Sequence, residues 1–102
     1  MARIRWTLQA IEDIEIICSY IARDSDHFAR VFAQNIFRKS NQIKAYPQSG
    51  RIAPEMQQEE IREIFHGNYR IIYRVVEDTA QILSVVHGSK SIDPAELKEL
   101  LY

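Results

Sequence analysis

In the stretch "GNYRIIYRVV", residues 67–76, two arginines, Arg70 and Arg74, interrupt a run of β-branched and aromatic residues. A strand turns successive side chains to opposite faces, so Tyr69, Ile71, Tyr73 and Val75 share one face and Arg70, Ile72, Arg74 and Val76 the other. The first face requires a core. The second mixes long cations with apolar residues, which predicts a sheet surface only partly covered. Its arginines either pair with nearby acids such as Glu63 and Glu77 or face an anionic or acidic partner.

Working outward, the apolar period is two from Ile61 onward. "IREIF" precedes this strand and "AQILSVVHG" follows it. "HGN" supplies Gly67 and Asn68 for the positive backbone angles of a tight hairpin, and "EDT" makes the next turn, so a three-stranded antiparallel meander is predicted. A register slip of one residue decides whether Arg62 or Glu63 shares the Arg70 face.

Upstream the period is helical. After a short strand candidate, "RIRWT" at residues 3–7, Ala10, Ile11, Ile14, Ile17, Cys18 and Ile21 recur at helical spacing. That helix should stop near Arg23 or Asp24. "DSDH" then caps a second helix carrying Phe28, Ala29, Phe32, Ile36 and Ile43 on one stripe, and the two form an antiparallel helical hairpin. "YPQSGRIAPE", residues 46–55, reads as a loop. "DPAEL" puts Asp93 at an N-cap and Pro94 at the first position of a short C-terminal helix. The prediction is one α+β domain over residues 1–102: N-terminal strand, helical hairpin, meander and short terminal helix. Helices on one face would bury Tyr69, Ile71 and Tyr73 and leave the Arg70 face open.

Composition narrows the setting. The 102 residues, 46% apolar and 26% charged, with three glycines and three prolines, suit one globular domain. The single cysteine, Cys18, reads as a small buried hydrophobe in a reducing, cytoplasmic setting. No signal-peptide core or membrane-length apolar run is present, so membrane roles are not expected. A formal charge of −1 argues against a protein that grips nucleic acid mainly through phosphates, although Arg62, Arg70, Arg74 and Lys90 fall together in the sheet segment.

Several strings in this order resemble the RelE/ParE superfamily of bacterial toxins, its ParE-like branch above all. They are Trp6; "A-x-x-D-I-x-x-I-x-x-Y-I-A" at Ala10, Asp13, Ile14, Ile17, Tyr20, Ile21 and Ala22; "P-x-x-G-R-x-x-P-E" at Pro47, Gly50, Arg51, Pro54 and Glu55; Arg62-Glu63; "YRIIYRV" at residues 69–75; and Val85, His87 and Gly88. The resemblance spans nearly the whole chain. It implies a plasmid-stabilisation type toxin neutralised by a cognate antitoxin, with no cofactor, no metal and no sequence-specific DNA binding of its own. ParE-like members bind DNA gyrase without catalysis. RelE-like members cut messenger RNA on the ribosome, which requires a base, a phosphate-binding cation and an acid. Under that alternative Glu55, Arg70 and His87 are the candidate catalytic residues. His87 lies ahead of the usual position of the family's catalytic histidine, and the lysine-rich loop of the RelE-like branch is missing.

The near-neutral charge favours the gyrase-binding reading, with Arg51, Arg70, Arg74 and Lys90 as the target-binding surface. The plainer readings stand beside these. His87 caps a strand end, Glu55 pairs with Arg51 or Arg70, Tyr69 and Tyr73 are core residues with hydroxyls at the rim, and Arg70 is tied to Glu63 or Glu55, its loss then costing no more than ~1 kcal/mol. On a helical wheel Ile16 and Tyr20 lie about 140 to 180° from the buried stripe of their helix. Val31 and Phe37 are displaced likewise on the second helix. These four residues are the candidate antitoxin-binding surface.

Overall fold

A computed structural model, describing residues 2–101, orders the chain as β1 (Arg3–Trp6), α1 (Leu8–Ala22), α2 (Asp26–Ala45), β2 (Arg51–Ile52), β3 (Ile61–His66), β4 (Tyr69–Val76), β5 (Thr79–His87) and α3 (Pro94–Leu100). Side-chain caps set the helix starts. Thr7 accepts the Ala10 N–H, Ser25 the Phe28 N–H and Asp93 the Ala95 N–H, with Pro94 opening α3 as its missing N–H allows. In the turn between β3 and β4 Gly67 alone takes the left-handed angle, φ 55°. Glu63 pairs with Ile72 and Phe65 with Arg70, so it is Glu63, not Arg62, that shares the Arg70 face.

The meander is the centre of a larger sheet of order β1-β5-β4-β3-β2. β1 joins its edge parallel to β5, Arg3 opposite Thr79 and Trp6 opposite Ile82. β2, antiparallel to β3, lies inside the segment expected to be a loop. Two residues are too few to show a period, and the pairing rests on partners ten and twelve residues downstream, Arg62 for Ile52 and Glu63 for Arg51.

The hairpin α1–α2 packs on the face predicted for it. Ala10, Phe32, Ile36 and Ile43 meet Ile71, Tyr73, Ala80, Ile82 and Val85 in one core. Phe28, expected on that stripe, is 64% exposed, because over the first two turns of α2 the buried positions fall to Ala29 and Phe32. Cys18 is half-buried, and the desolvation raises its thiol pKa.

The opposite face corrects the sequence reading. It is not open: Ala53, Ile61, Ile72, Leu83, Ile92 and Leu97 form a second core under α3 and the segment after β2. Leu83 reaches it through a bulge, since Ile72 faces Ser84 and Tyr73 faces Ile82, which leaves Leu83 as the extra residue. Where β1 leaves the sheet, α1 completes the edge. Asp13 Oδ2 accepts the Val85 N–H (3.0 Å) and the Ser84 hydroxyl (2.7 Å), and Thr7 donates to the Leu83 carbonyl (2.9 Å).

Candidate functional site

Arg70 is buried, 5% exposed, and spends its fork inside the protein. Its Nη1 and Nη2 donate to the two Glu55 oxygens at 2.7 and 2.8 Å, and its Nε donates to Glu63 Oε1 at 2.8 Å. Nη1 also donates to the Lys90 carbonyl at 3.1 Å. The Ile92 N–H donates to Glu55 Oε2 at 3.3 Å. One guanidinium thus ties β3, the segment after β2 and the segment after β5 to β4. The expected display of Arg70 on an open face is overturned, because second-core packing carries Glu55 over it. Glu63 is the fully buried member, and its Oε2 accepts from Arg51 Nε at the surface.

The Arg70 guanidinium, through its hydrogen bonds, holds the Glu55 carboxyl below its ordinary value of 4.5. Glu55 therefore contributes stability that is fully present above that value and is lost as pH falls through its lower folded value. Acid titration of the melting transition should show this loss. In Glu55→Gln the loss over that window should shrink, and an unchanged acid profile would contradict the pairing.

Around this network lies an open cleft of about 340 Å³, walled by Arg51, Glu55, Phe65, Arg70 and Lys90 and floored by the turn Gly88–Ser91. Of the six residues named for catalysis or target binding, Arg51, Glu55, Arg70 and Lys90 converge here. His87 does not. It pairs with Tyr69 across the sheet, its ring 5.6 Å edge-on from the Tyr69 ring on the hairpin face, while its Nδ1 sits 2.7 Å from Ser89 Oγ. Strand alternation is the reason, since Val86 and not His87 opposes Arg70. Arg74 is also separate. It stands near the far end of β4, 3.5 Å from Glu60 rather than against Glu77, and lines another cleft with Arg5 and Gln81.

Sequence reasoning missed the part played by the Tyr73 hydroxyl. It does not reach the rim; buried, it accepts the Gly50 N–H (3.0 Å) and donates to the Pro47 carbonyl (2.8 Å), and burial pushes its pKa up. A Cβ on Gly50 would lie 2.5 Å from both that hydroxyl and the Glu63 carbonyl, so only glycine fits. The "P-x-x-G-R" string and the "YR" pairs were the available signal.

On the hairpin, Ile16, Tyr20 and Phe37 are exposed at 67, 66 and 61%, as the wheel predicts. Val31 is half-buried. Phe37 borders an apolar groove with Trp6, Ile11 and Ile14, whereas Ile16 borders a second one with Ile17, Tyr69 and Val85.

Residues 4–92 match the ParE toxin of type II toxin–antitoxin system, parDE. The chain belongs to the ParE toxin family. This ParE-family toxin is 38% identical over 89 residues to Y4kP of Sinorhizobium fredii (strain NBRC 101917 / NGR234), named as a candidate toxin, covering 84% of this chain and 88% of the relative. Its fold matches a chain of the chromosomal ParDE TA system from P. aeruginosa with TM-score 0.69 and 20% identity, covering 85% of this chain and 96% of that one. It matches a chain of the toxin–antitoxin complex RelBE2 from Mycobacterium tuberculosis at TM-score 0.54 and 18% identity, with 84% and 96% covered. At these identities the two structures establish the shared α+β architecture. Among the described residues, no helix of the ParE-family chain is long and apolar enough to cross a membrane.

Proposed function

We propose that this ParE-family toxin arrests growth by binding DNA gyrase, without catalysis, and is held inactive by a cognate antitoxin. The observation that supports it best is the state of Arg70. A cation that stabilises a scissile phosphate needs donors free to meet it, and every edge of this guanidinium already meets a carboxylate or a carbonyl. Glu55, doubly bonded to Arg70 with a lowered pKa, is a weak proton acceptor, and His87 faces the other side of the sheet. The alternative, a ribosome-dependent endoribonuclease using Glu55, Arg70 and His87, would require this network to open. Purified toxin should inhibit supercoiling by gyrase, and induction should produce DNA-damage responses before any cleavage of translated transcripts. Prompt transcript cleavage with normal supercoiling would overturn the proposal.

Antitoxin recognition is assigned to the exposed Ile16, Tyr20 and Phe37 of the hairpin together with half-buried Val31. Because Ile16 and Phe37 border separate grooves, their effects should be close to additive. Ile16→Asp with Phe37→Asp is expected to weaken antitoxin binding by roughly a hundredfold, about 3 kcal/mol, while leaving the melting temperature within a few degrees. Co-purification with the product of the adjacent reading frame measures it, and full affinity in a folded variant would move the surface elsewhere.

A further inference from the structure

We infer that the cleft bounded by Arg51, Phe65 and Lys90 is a carboxylate-binding site, which seats an acidic residue and an adjoining apolar side chain from a protein partner. The inference rests on the reading of this chain as a protein-binding toxin and assigns the contact through which it grips its target.

Arg51 is built for this. Its side chain is 68% exposed, yet it is not loose, because buried Glu63 holds its Nε and its guanidinium lies 5.4 Å from the centre of the Phe65 ring. Its two terminal nitrogens have no acceptor among the described residues, so an oriented, ring-supported fork opens into the cleft. That geometry matches a carboxylate in bidentate fashion, with the cost of ordering the arginine already met by the fold. Opposite it Lys90 is exposed and its ammonium has no partner among the described residues. Its backbone is nonetheless fixed, since the Lys90 carbonyl accepts from Arg70.

Charge selects the ligand. Around the cleft Arg51, Arg70 and Lys90 face two carboxylates, Glu55 and Glu63, which leaves one positive charge unmatched. One unmatched charge suits one carboxylate. A nucleic-acid backbone brings a row of charges, and here it would meet the Glu55 carboxylate in the wall and a chain of net charge −1. The apolar requirement comes from Phe65, 40% exposed at the rim. Gly88 keeps that ring accessible, because a Cβ there would lie 3.2 Å from Phe65 Cε1 and 3.1 Å from the Asn68 carbonyl.

The test uses the full chain, isotope-labelled, titrated with acetyl-Asp-Leu-amide, acetyl-Asn-Leu-amide and a ten-nucleotide oligouridylate. The acidic dipeptide should shift the Arg51 Nε–H, Phe65 ring and Lys90 signals, and the amide dipeptide should bind at least about tenfold more weakly. Arg51→Lys, which keeps the charge but loses the fork and the stacking, should weaken the acidic dipeptide several-fold, and Lys44→Gln on α2 should not. Equal binding of the two dipeptides, shifts centred elsewhere, or tighter binding of the oligonucleotide at this cleft would overturn the inference. Gyrase supercoiling separates it from the functional reading. Dipeptide binding by a toxin that leaves gyrase untouched upholds the site and removes gyrase as target. Undiminished gyrase inhibition by Arg51→Gln with Lys90→Gln removes the site from the target contact.

Discussion

Replacing Arg70 by alanine is expected to lower the stability of the protein by about 3–5 kcal/mol, because it leaves buried Glu55 without a counter-charge and buried Glu63 with Arg51 alone. The side chain of Glu63 is wholly buried, that of Glu55 is 8% exposed and that of Arg70 6%. The figure of ~1 kcal/mol expected for a surface pair therefore does not apply. For a domain of this size the loss corresponds to a fall in melting temperature of roughly 15 °C or more. Adding Glu55→Gln and Glu63→Gln to the alanine variant should restore part of the loss, since the uncharged amides cost less to leave unpaired. Urea denaturation of the parent, the single variant and the triple variant measures both effects. A single-variant loss under 1 kcal/mol would mean that the network contributes little to the fold.

The second large effect is expected at Tyr73. Tyr73→Ala removes a fully buried aromatic ring between the hairpin and the sheet and should cost about 3–5 kcal/mol. Tyr73→Phe keeps the ring and deletes only the hydroxyl, leaving the Gly50 N–H without its acceptor, which should cost about 1–3 kcal/mol. The difference between the two separates packing from the pinning of residues 47–50. If the phenylalanine variant melts as the parent does, the hydroxyl does not hold that segment in place.

What could be read from the chain were the features that local chemistry fixes within a few residues. Ser25 and Asp93 cap where their side chains reach the next turn, Gly67 supplies the hairpin's left-handed residue, and the switch of period at Ile61 marks the start of the meander. The convergence of Arg51, Glu55, Arg70 and Lys90 was also foreseeable, from the strand order. Less legible was anything set by a partner far along the chain. Alternation gave Arg70 a face but could not tell what covers it, because Ile92 and Leu97 show their role only once α3 lies under the sheet. The bulge at Leu83 was not legible either, since one extra residue in β5 changes the faces of the side chains that follow it. The same bulge removes His87 from the cleft, because unbroken alternation from Ile82 would have put it on the Arg70 face.

The parallel pairing of β1 with β5 also sets a timetable. Thr7 and Leu83, hydrogen-bonded at the head of α1, are 76 residues apart, and Arg3 meets Thr79 at the other end of the same ladder. During synthesis the first strand and the helical hairpin emerge early, but the strands that bury Phe32, Ile36 and Ile43 arrive only with the second half of the chain. Such distant closures make folding slow relative to proteins built from neighbouring contacts. A nascent chain interrupted anywhere before β5 lacks both the neighbour of its first strand and much of the bed of its hairpin. Harmful activity should therefore be a property of finished molecules, with arrested fragments left as unfolded substrates for proteases.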